Sequence, residues 1–295
     1  MGCAAAQNMK QASHEGHFIL YTPPPLCQAP KDIFFKESSP PVQRILREKR
    51  RRERGERVRR RKILAAMCAL ALLLSGSAGG GAVPADRALL VEEPPLVALT
   101  FDDGPRGDTT GALLDGLALR EVPATFFLVG SRLAGREDLV RRMAAEGHQI
   151  GVHTYDHRAV DGLSRRDFDA EVGETRAALA AILGDGDYWL RPPYGSLDET
   201  TRAWAGSPLI LWSVDPEDWR DGDVDRIVAA VTEHAGDGSI ILLHDIFPTT
   251  VQAALAAVDL LLERGYCFVT VEQLMARRGI EPEDGAVYRQ FPSAG

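Results

Sequence analysis

Two adjacent aspartates, Asp102 and Asp103, end an apolar run and stop at a Gly-Pro turn, in Leu96-Val97-Ala98-Leu99-Thr100-Phe101-Asp102-Asp103-Gly104-Pro105. Side chains alternate along a strand, so neighbours there point apart. A strand end that breaks into Gly-Pro can instead hold both carboxylates at one rim, where like charges repel unless a cation compensates. A metal ion is the candidate cation. Downstream, His153-Thr154-Tyr155-Asp156-His157 follows another apolar run. Two histidines four residues apart share a face of a helical turn and can chelate one ion. Alone, such a pair is a weak signal, because capping and surface histidines are common. With Asp103 it becomes a two-histidine, one-carboxylate set, which leaves positions open for water and substrate as a catalytic zinc site requires. The same set could hold non-haem iron, so the ligands do not fix the reaction.

Three further segments carry reactive residue types. His244-Asp245 ends Ser239-Ile240-Ile241-Leu242-Leu243. Its histidine is either a satisfied strand-end side chain or a group that titrates near neutrality and can protonate a leaving amine. Arg191-Pro192-Pro193-Tyr194-Gly195 is either a surface arginine before a turn or a rigid loop able to aim an N–H at an oxyanion. In Asp215-Pro216-Glu217-Asp218-Trp219 the acids can cap a turn, and Trp219 can form a wall that stacks on a sugar.

The elements that must position these residues follow from periodicity. Apolar runs occur at 96–101, 124–129, 149–153, 188–191, 209–214, 239–244 and 267–271. Helix-period stretches lie between them at 131–146, 164–183, 224–234 and 249–264, and Gly147, Gly184 and Gly265 stand where helix C-termini favour glycine. Strands alternating with helices of this length predict parallel βαβ units, and near-continuous apolar strands predict a sheet covered on both faces. Such units close into a barrel or remain an open sheet. In either case the active rim is the C-terminal end of the strands, where Asp102, Asp103, His153, Arg191, Asp215 and His244 fall. No internal repeat is visible, and nothing beyond Val271 predicts a second domain.

Charge divides the 295 residues unevenly: positions 1–62 hold 15 Lys/Arg and 6 Asp/Glu, the remainder 19 and 36. Every lysine lies at or before Lys62. The basic stretch from Arg44 to Lys62 has the composition of a nucleic-acid arm. However, an uncharged apolar run, Ile63–Leu74, follows at once, then small residues ending in Val83-Pro84-Ala85. That order reads as a secretory signal, which fits the stretch better than the nucleic-acid reading. Because no charge appears until Asp86, an uncleaved anchor with its basic flank inside is the alternative. Residues 1–57 read as a disordered extension, or as sequence preceding a true start at Val58; 58–85 as a signal peptide or membrane anchor; and 86–295 as the globular domain. The expected location is extracellular or cell-wall associated, or else anchored to the cytoplasmic membrane and facing outward.

Taken together, TFDDGP, HTYDH, RPPYG, DPEDW and LLHD resemble the five motifs of the NodB-homology polysaccharide deacetylases, carbohydrate esterase family 4, over a core of about residues 94–275. The resemblance implies an α/β fold, a distorted (β/α) barrel of about seven parallel strands. It implies metal-dependent removal of acetyl groups from a polysaccharide, as N-deacetylation of N-acetylglucosamine in peptidoglycan or a chitin-like glycan. By the same resemblance Asp103, His153 and His157 hold a divalent metal, zinc first and cobalt or another divalent ion second. Asp102 is the general base, paired with Arg191 and kept ionised by it and by the metal. Tyr194 supplies an oxyanion N–H, His244 is the general acid and Asp218 orients it, while Trp219 and Leu242 line the acetyl pocket. An O-acetyl esterase acting on xylan or cell-wall glycan uses the same machinery. A non-catalytic glycan-binding relative should lack Asp102 or His244, and both are present. The expected partner is an acetylated glycan, with no nucleic acid and with membrane contact only through the N-terminal segment. The sequence assigns no oligomeric state.

Overall fold

Seven consecutive buried residues, Leu96–Asp102, form the first strand (β1) of the computed structural model, which describes residues 93–293. The extension and the signal or anchor segment expected at 1–57 and 58–85 lie outside the described residues. The remaining strands are β2 (Thr125–Leu128), β3 (Gln149–Val152), β4 (Leu209–Ile210), β5 (Ser239–His244), β6 (Cys267–Val269) and β7 (Val287–Tyr288). β1 runs parallel to β2, β5 and β6, and β2 runs parallel to β3. Single parallel bridges, Val152 with Leu190, Leu190 with Leu209 and Val214 with Ile241, close the path from β3 back to β5. The sheet is therefore a distorted barrel.

Two expected strands are eroded. Residues 188–191 contribute a bridge at Leu190, since Pro192 and Pro193 lack the N–H groups a ladder needs. Residues 209–214 form a strand only at Leu209–Ile210, because the Ser213 and Val214 N–H groups both donate to the Ile240 carbonyl and break the ladder. Conversely β7 pairs parallel with β4 beyond Val271, where no element is expected. Its two residues are too short to show periodicity.

Alternation along β1 sorts its side chains into two cores. Val97, Leu99 and Phe101 join the apolar layer between sheet and helices, while Leu96 and Ala98 point inward with Phe127, Ile210 and Ile240. Asp102 continues the inward set. The outer layer consists of α1 (Gly107–Ala118), α2 (Glu137–Ala145), α3 (Arg165–Phe168), α4 (Glu174–Leu183), α5 (Glu199–Trp204), α6 (Val224–His234), α7 (Pro248–Glu263) and α8 (Val271–Arg277). Side chains of Ser164, Asp198, Asp223 and Thr270 cap α3, α5, α6 and α8. Gly147, Gly184 and Gly265 adopt φ of 82°, 94° and 88°, as helix termini require. The helix expected over 131–146 begins only at Glu137, after a 3-10 turn at Gly130–Arg132. That expected over 164–183 is interrupted by a π turn at Asp169–Gly173.

His148 precedes β3, and its Nδ1 accepts the Ala124 N–H at 2.9 Å while its ring meets Phe126 edge-on. Burial pushes this ring down to about 4. The unfolded chain takes up a proton near pH 6.5 that the fold refuses until about 4. Stability from this group is thus intact above about pH 6.5 and lost as pH falls through that window, by roughly 3 kcal/mol at most. Urea midpoints at pH 7 and pH 4.5 check this. His148→Asn, which retains an acceptor but cannot titrate there, should show a smaller acid loss than the wild type.

Candidate active site

Arg191 anchors the site from below. Its guanidinium is fully buried; Nη1 donates to Asp102 Oδ1 at 2.8 Å and to Thr100 Oγ1 at 2.7 Å. Nε and Nη2 donate to the Ile210 and Leu211 carbonyls, both at 3.0 Å, and the group lies 4.2 Å over the Phe127 ring. The arginine expected at the rim therefore runs back into the barrel and holds Asp102 there. Burial pushes the Asp102 carboxyl above its usual range, against the downward pulls of Arg191 and then His244. Arg191 thus acts in the expected sense, favouring the ionised carboxylate against the burial that opposes it. A raised value brings a proton acceptor closer to neutral operating pH.

The chain leaves β1 through Asp103 in a left-handed conformation, φ 74°, which lets adjacent aspartates face the same rim. The Arg132 guanidinium donates to the Asp103 carbonyl at 2.5 Å. Asp103 Oδ1 is buried, accepts no hydrogen bond, and lies 3.2 Å from His157 Nε2 and 3.7 Å from His153 Nε2. One ligand atom from each of the three lies within 4.8 Å of the others. His153 Nδ1 meets the Arg191 carbonyl at 2.7 Å and donates to it, leaving the Nε2 lone pair facing Asp103. Burial pushes this imidazole down to about 3, so it is neutral, as a ligand must be. An orphaned carboxylate oxygen and a neutral histidine aimed at one point fit a divalent cation. The two histidines do not share a helical turn: Thr154 and His157 take φ of 61° and 59°, and the segment is a bend. Four-residue spacing works here through loop strain rather than helix pitch.

His244 stands opposite. Parallel register pairs it with Asp102 across β1 and β5. Its Nδ1 donates to Asp218 Oδ1 at 2.8 Å, while Asp218 Oδ2 accepts the His244 N–H at 2.8 Å and the Thr250 hydroxyl at 2.7 Å. Asp218 is 1% exposed. Burial pulls the His244 ring down, but the Asp218 hydrogen bond and charge, with Asp102 and Asp103 behind them, outweigh it and lift it to about 9. Leu242 lies two residues earlier on the same strand and is buried.

Tyr194 takes φ 61° on the proline loop, is 72% exposed, and sets its ring edge-on to His157 at 4.9 Å. Its backbone N–H donates to no carbonyl among the described residues. Trp219, 56% exposed, adjoins the cluster through its chain neighbour Asp218. Asp215 instead takes the turn-capping role, accepting the Glu217 N–H at 2.9 Å.

Supporting residues escaped the sequence reading. Thr250 on α7 and Thr100 on β1 have ordinary sequence contexts. Glu171 carried a signal: a carboxylate within the buried positions Phe168, Val172, Thr175 and Leu179.

A family model described as polysaccharide deacetylase matches residues 91–207. The chain is 39% identical over 179 residues to the peptidoglycan-N-acetylmuramic acid deacetylase PdaC of Bacillus subtilis, covering 61% of this chain and 38% of that protein. It therefore spans well under half the length of that relative. It is 43% identical over 158 residues to a chitooligosaccharide deacetylase of Sinorhizobium fredii, covering 52% of this chain and 74% of that one. Among solved structures, a family 4 acetyl xylan esterase from Clostridium thermocellum, in complex with a cobalt ion, matches with TM-score 0.64 at 31% identity. That match covers 67% of this chain and 99% of the esterase.

Proposed function

This chain belongs to the polysaccharide deacetylase family, the NodB-homology proteins of carbohydrate esterase family 4, and from that premise we propose that it removes N-acetyl groups from an amino-sugar glycan, N-acetylglucosamine of peptidoglycan or of a chitin-like polymer. The observation that carries the reading is the placement of Asp102 between a three-ligand set on one side and a histidine proton donor opposite it. Asp103, His153 and His157 would hold a divalent cation, zinc in this reading; when bound, it polarises the acetyl carbonyl and acidifies the attacking water.

The chain's own groups do the rest. Asp102, fixed by Arg191, takes the proton of the attacking water. The Tyr194 N–H, turned by its left-handed backbone, donates to the developing oxyanion. His244 protonates the departing nitrogen from Nε2, because Asp218 engages Nδ1 and fixes the ring. Leu242 and Trp219 shape the acetyl pocket. A nitrogen leaving group cannot depart as an amide anion, so a histidine donor locked in place suits an amide more than an ester. The likeness to an acetyl xylan esterase supports a second reading, an O-acetyl esterase on xylan or wall glycan. Export, by cleavage or as an anchored protein facing outward, is proposed from the basic-then-apolar order of residues 58–85.

Acetate release by the full chain from peptidoglycan, chitooligosaccharides and acetylxylan tests these readings. The expected result is release from an N-acetylated glycan, abolished by chelation and restored by zinc or cobalt. Release that survives complete metal removal overturns the mechanism, and release from acetylxylan alone selects the esterase reading.

A further inference from the structure

The strained bend between His153 and His157 is held from two sides. From the barrel side, the Gly130 and Ser131 N–H groups donate to the Thr154 and Tyr155 carbonyls at 2.9 and 2.8 Å. From the helix side, Glu171 Oε2 accepts the Tyr155 N–H at 2.9 Å and the Asp156 N–H at 3.1 Å. Glu171 is only 7% exposed and lies on the π turn Asp169–Gly173. A π turn inserts one residue into the helical spiral and re-aims the side chains it carries. The Glu171 carbonyl accepts the Thr175 hydroxyl at 2.9 Å, so the wide turn is itself tied down. Gly130 allows the close approach: a Cβ there would come within 2.5 Å of Thr175 Oγ1 and 2.6 Å of the Tyr155 ring.

We infer that Glu171 is a positioning residue for the metal site, its carboxylate holding the Tyr155 and Asp156 amides so that His153 and His157 are set for one ion before it arrives. Left-handed backbone at non-glycine residues such as Thr154 and His157 costs about 1 kcal/mol or more each and persists only where surroundings impose it. Two amide donors converging on one carboxylate oxygen supply that imposition in the middle of the bend. Without the acceptor, the bend relaxes toward ordinary dihedrals and the two ring nitrogens separate. The inference rests on the metal reading above, but it concerns residues that reach the ion only through the loop backbone.

Cobalt and zinc titration calorimetry on the full chain, with the visible spectrum of the cobalt form, provides the test. Glu171→Ala is expected to weaken cobalt binding about 10- to 100-fold, the range for losing a group that orients ligands. Glu171→Gln keeps an acceptor oxygen and should stay within about fivefold, with an unchanged cobalt spectrum and an unchanged melting temperature without metal. If the alanine variant does not fold, Glu171→Asp, which draws the carboxylate back by one methylene, should fall between the two. Alanine or aspartate variants that bind cobalt as tightly as the wild type, or a glutamine variant as weak as alanine, overturn the assignment. A wild-type chain that takes up no cobalt or zinc overturns the metal reading itself.

Discussion

Asp102→Asn is expected to lower acetate release about 10²- to 10⁴-fold while leaving metal uptake unchanged. The substitution is nearly isosteric, and an amide oxygen at the Oδ1 position can still accept from Arg191 Nη1 and stay in place. What disappears is the proton acceptor. The ligand atoms belong to Asp103, His153 and His157, so calorimetric cobalt affinity should stay within a few-fold of wild type. Paired measurements of acetate release and cobalt binding separate the two roles of the adjacent aspartates. A variant keeping more than a tenth of the rate would show that Asp102 is not the base. One that loses the metal would show that the pair acts as a single ligand unit.

The largest effect on stability should come from Arg191→Met. The guanidinium makes four hydrogen bonds inside the barrel, to Asp102, Thr100 and the Ile210 and Leu211 carbonyls. Methionine fills much of the volume over Phe127 but leaves the Asp102 carboxylate buried without its partner and two carbonyls without donors. Removing one side of a buried pair typically costs about 3–5 kcal/mol, which for a domain of this size lowers the melting temperature on the order of 10 °C. Urea unfolding without metal measures the cost directly. Arg191→Lys should recover part of it, since one ammonium can reach Asp102 but cannot span both carbonyls. A loss below about 1 kcal/mol for methionine would mean that the guanidinium is an incidental tenant of the barrel rather than its clamp.

Much of this was legible in residue order because the underlying constraints are local. Apolar runs ending in polar residues located β1, β3 and β5, and the carboxylates and histidines fell at their C-terminal ends as parallel βα units require. Glycines after helical stretches marked helix ends through their positive φ. Where the local pattern was short or interrupted by proline, it misled: residues 188–191 thinned to one bridge, and β7 carried no pattern at all. The spacing of His153 and His157 matches helix pitch, yet the loop reaches the same convergence through two left-handed residues. Periodicity cannot report backbone strain imposed from outside the segment.

By itself, the sequence determined the alternation of strands and helices, the set of reactive side chains and the strand ends that carry them. These follow from side-chain period, turn chemistry and residue type, all properties of neighbouring positions. Tertiary structure decided which groups face one another and in what electrical state. It set Arg191 beneath Asp102 and Asp218 behind His244, and it placed Glu171 under the bend that carries the histidines. The pairs concerned are separated by 89, 26 and 16 residues. Burial then moved His153 down to about 3, whereas the neighbouring carboxylates raised His244 to about 9. Charge in a low-dielectric interior is governed by distance and desolvation through space, and only the closed barrel sets either one.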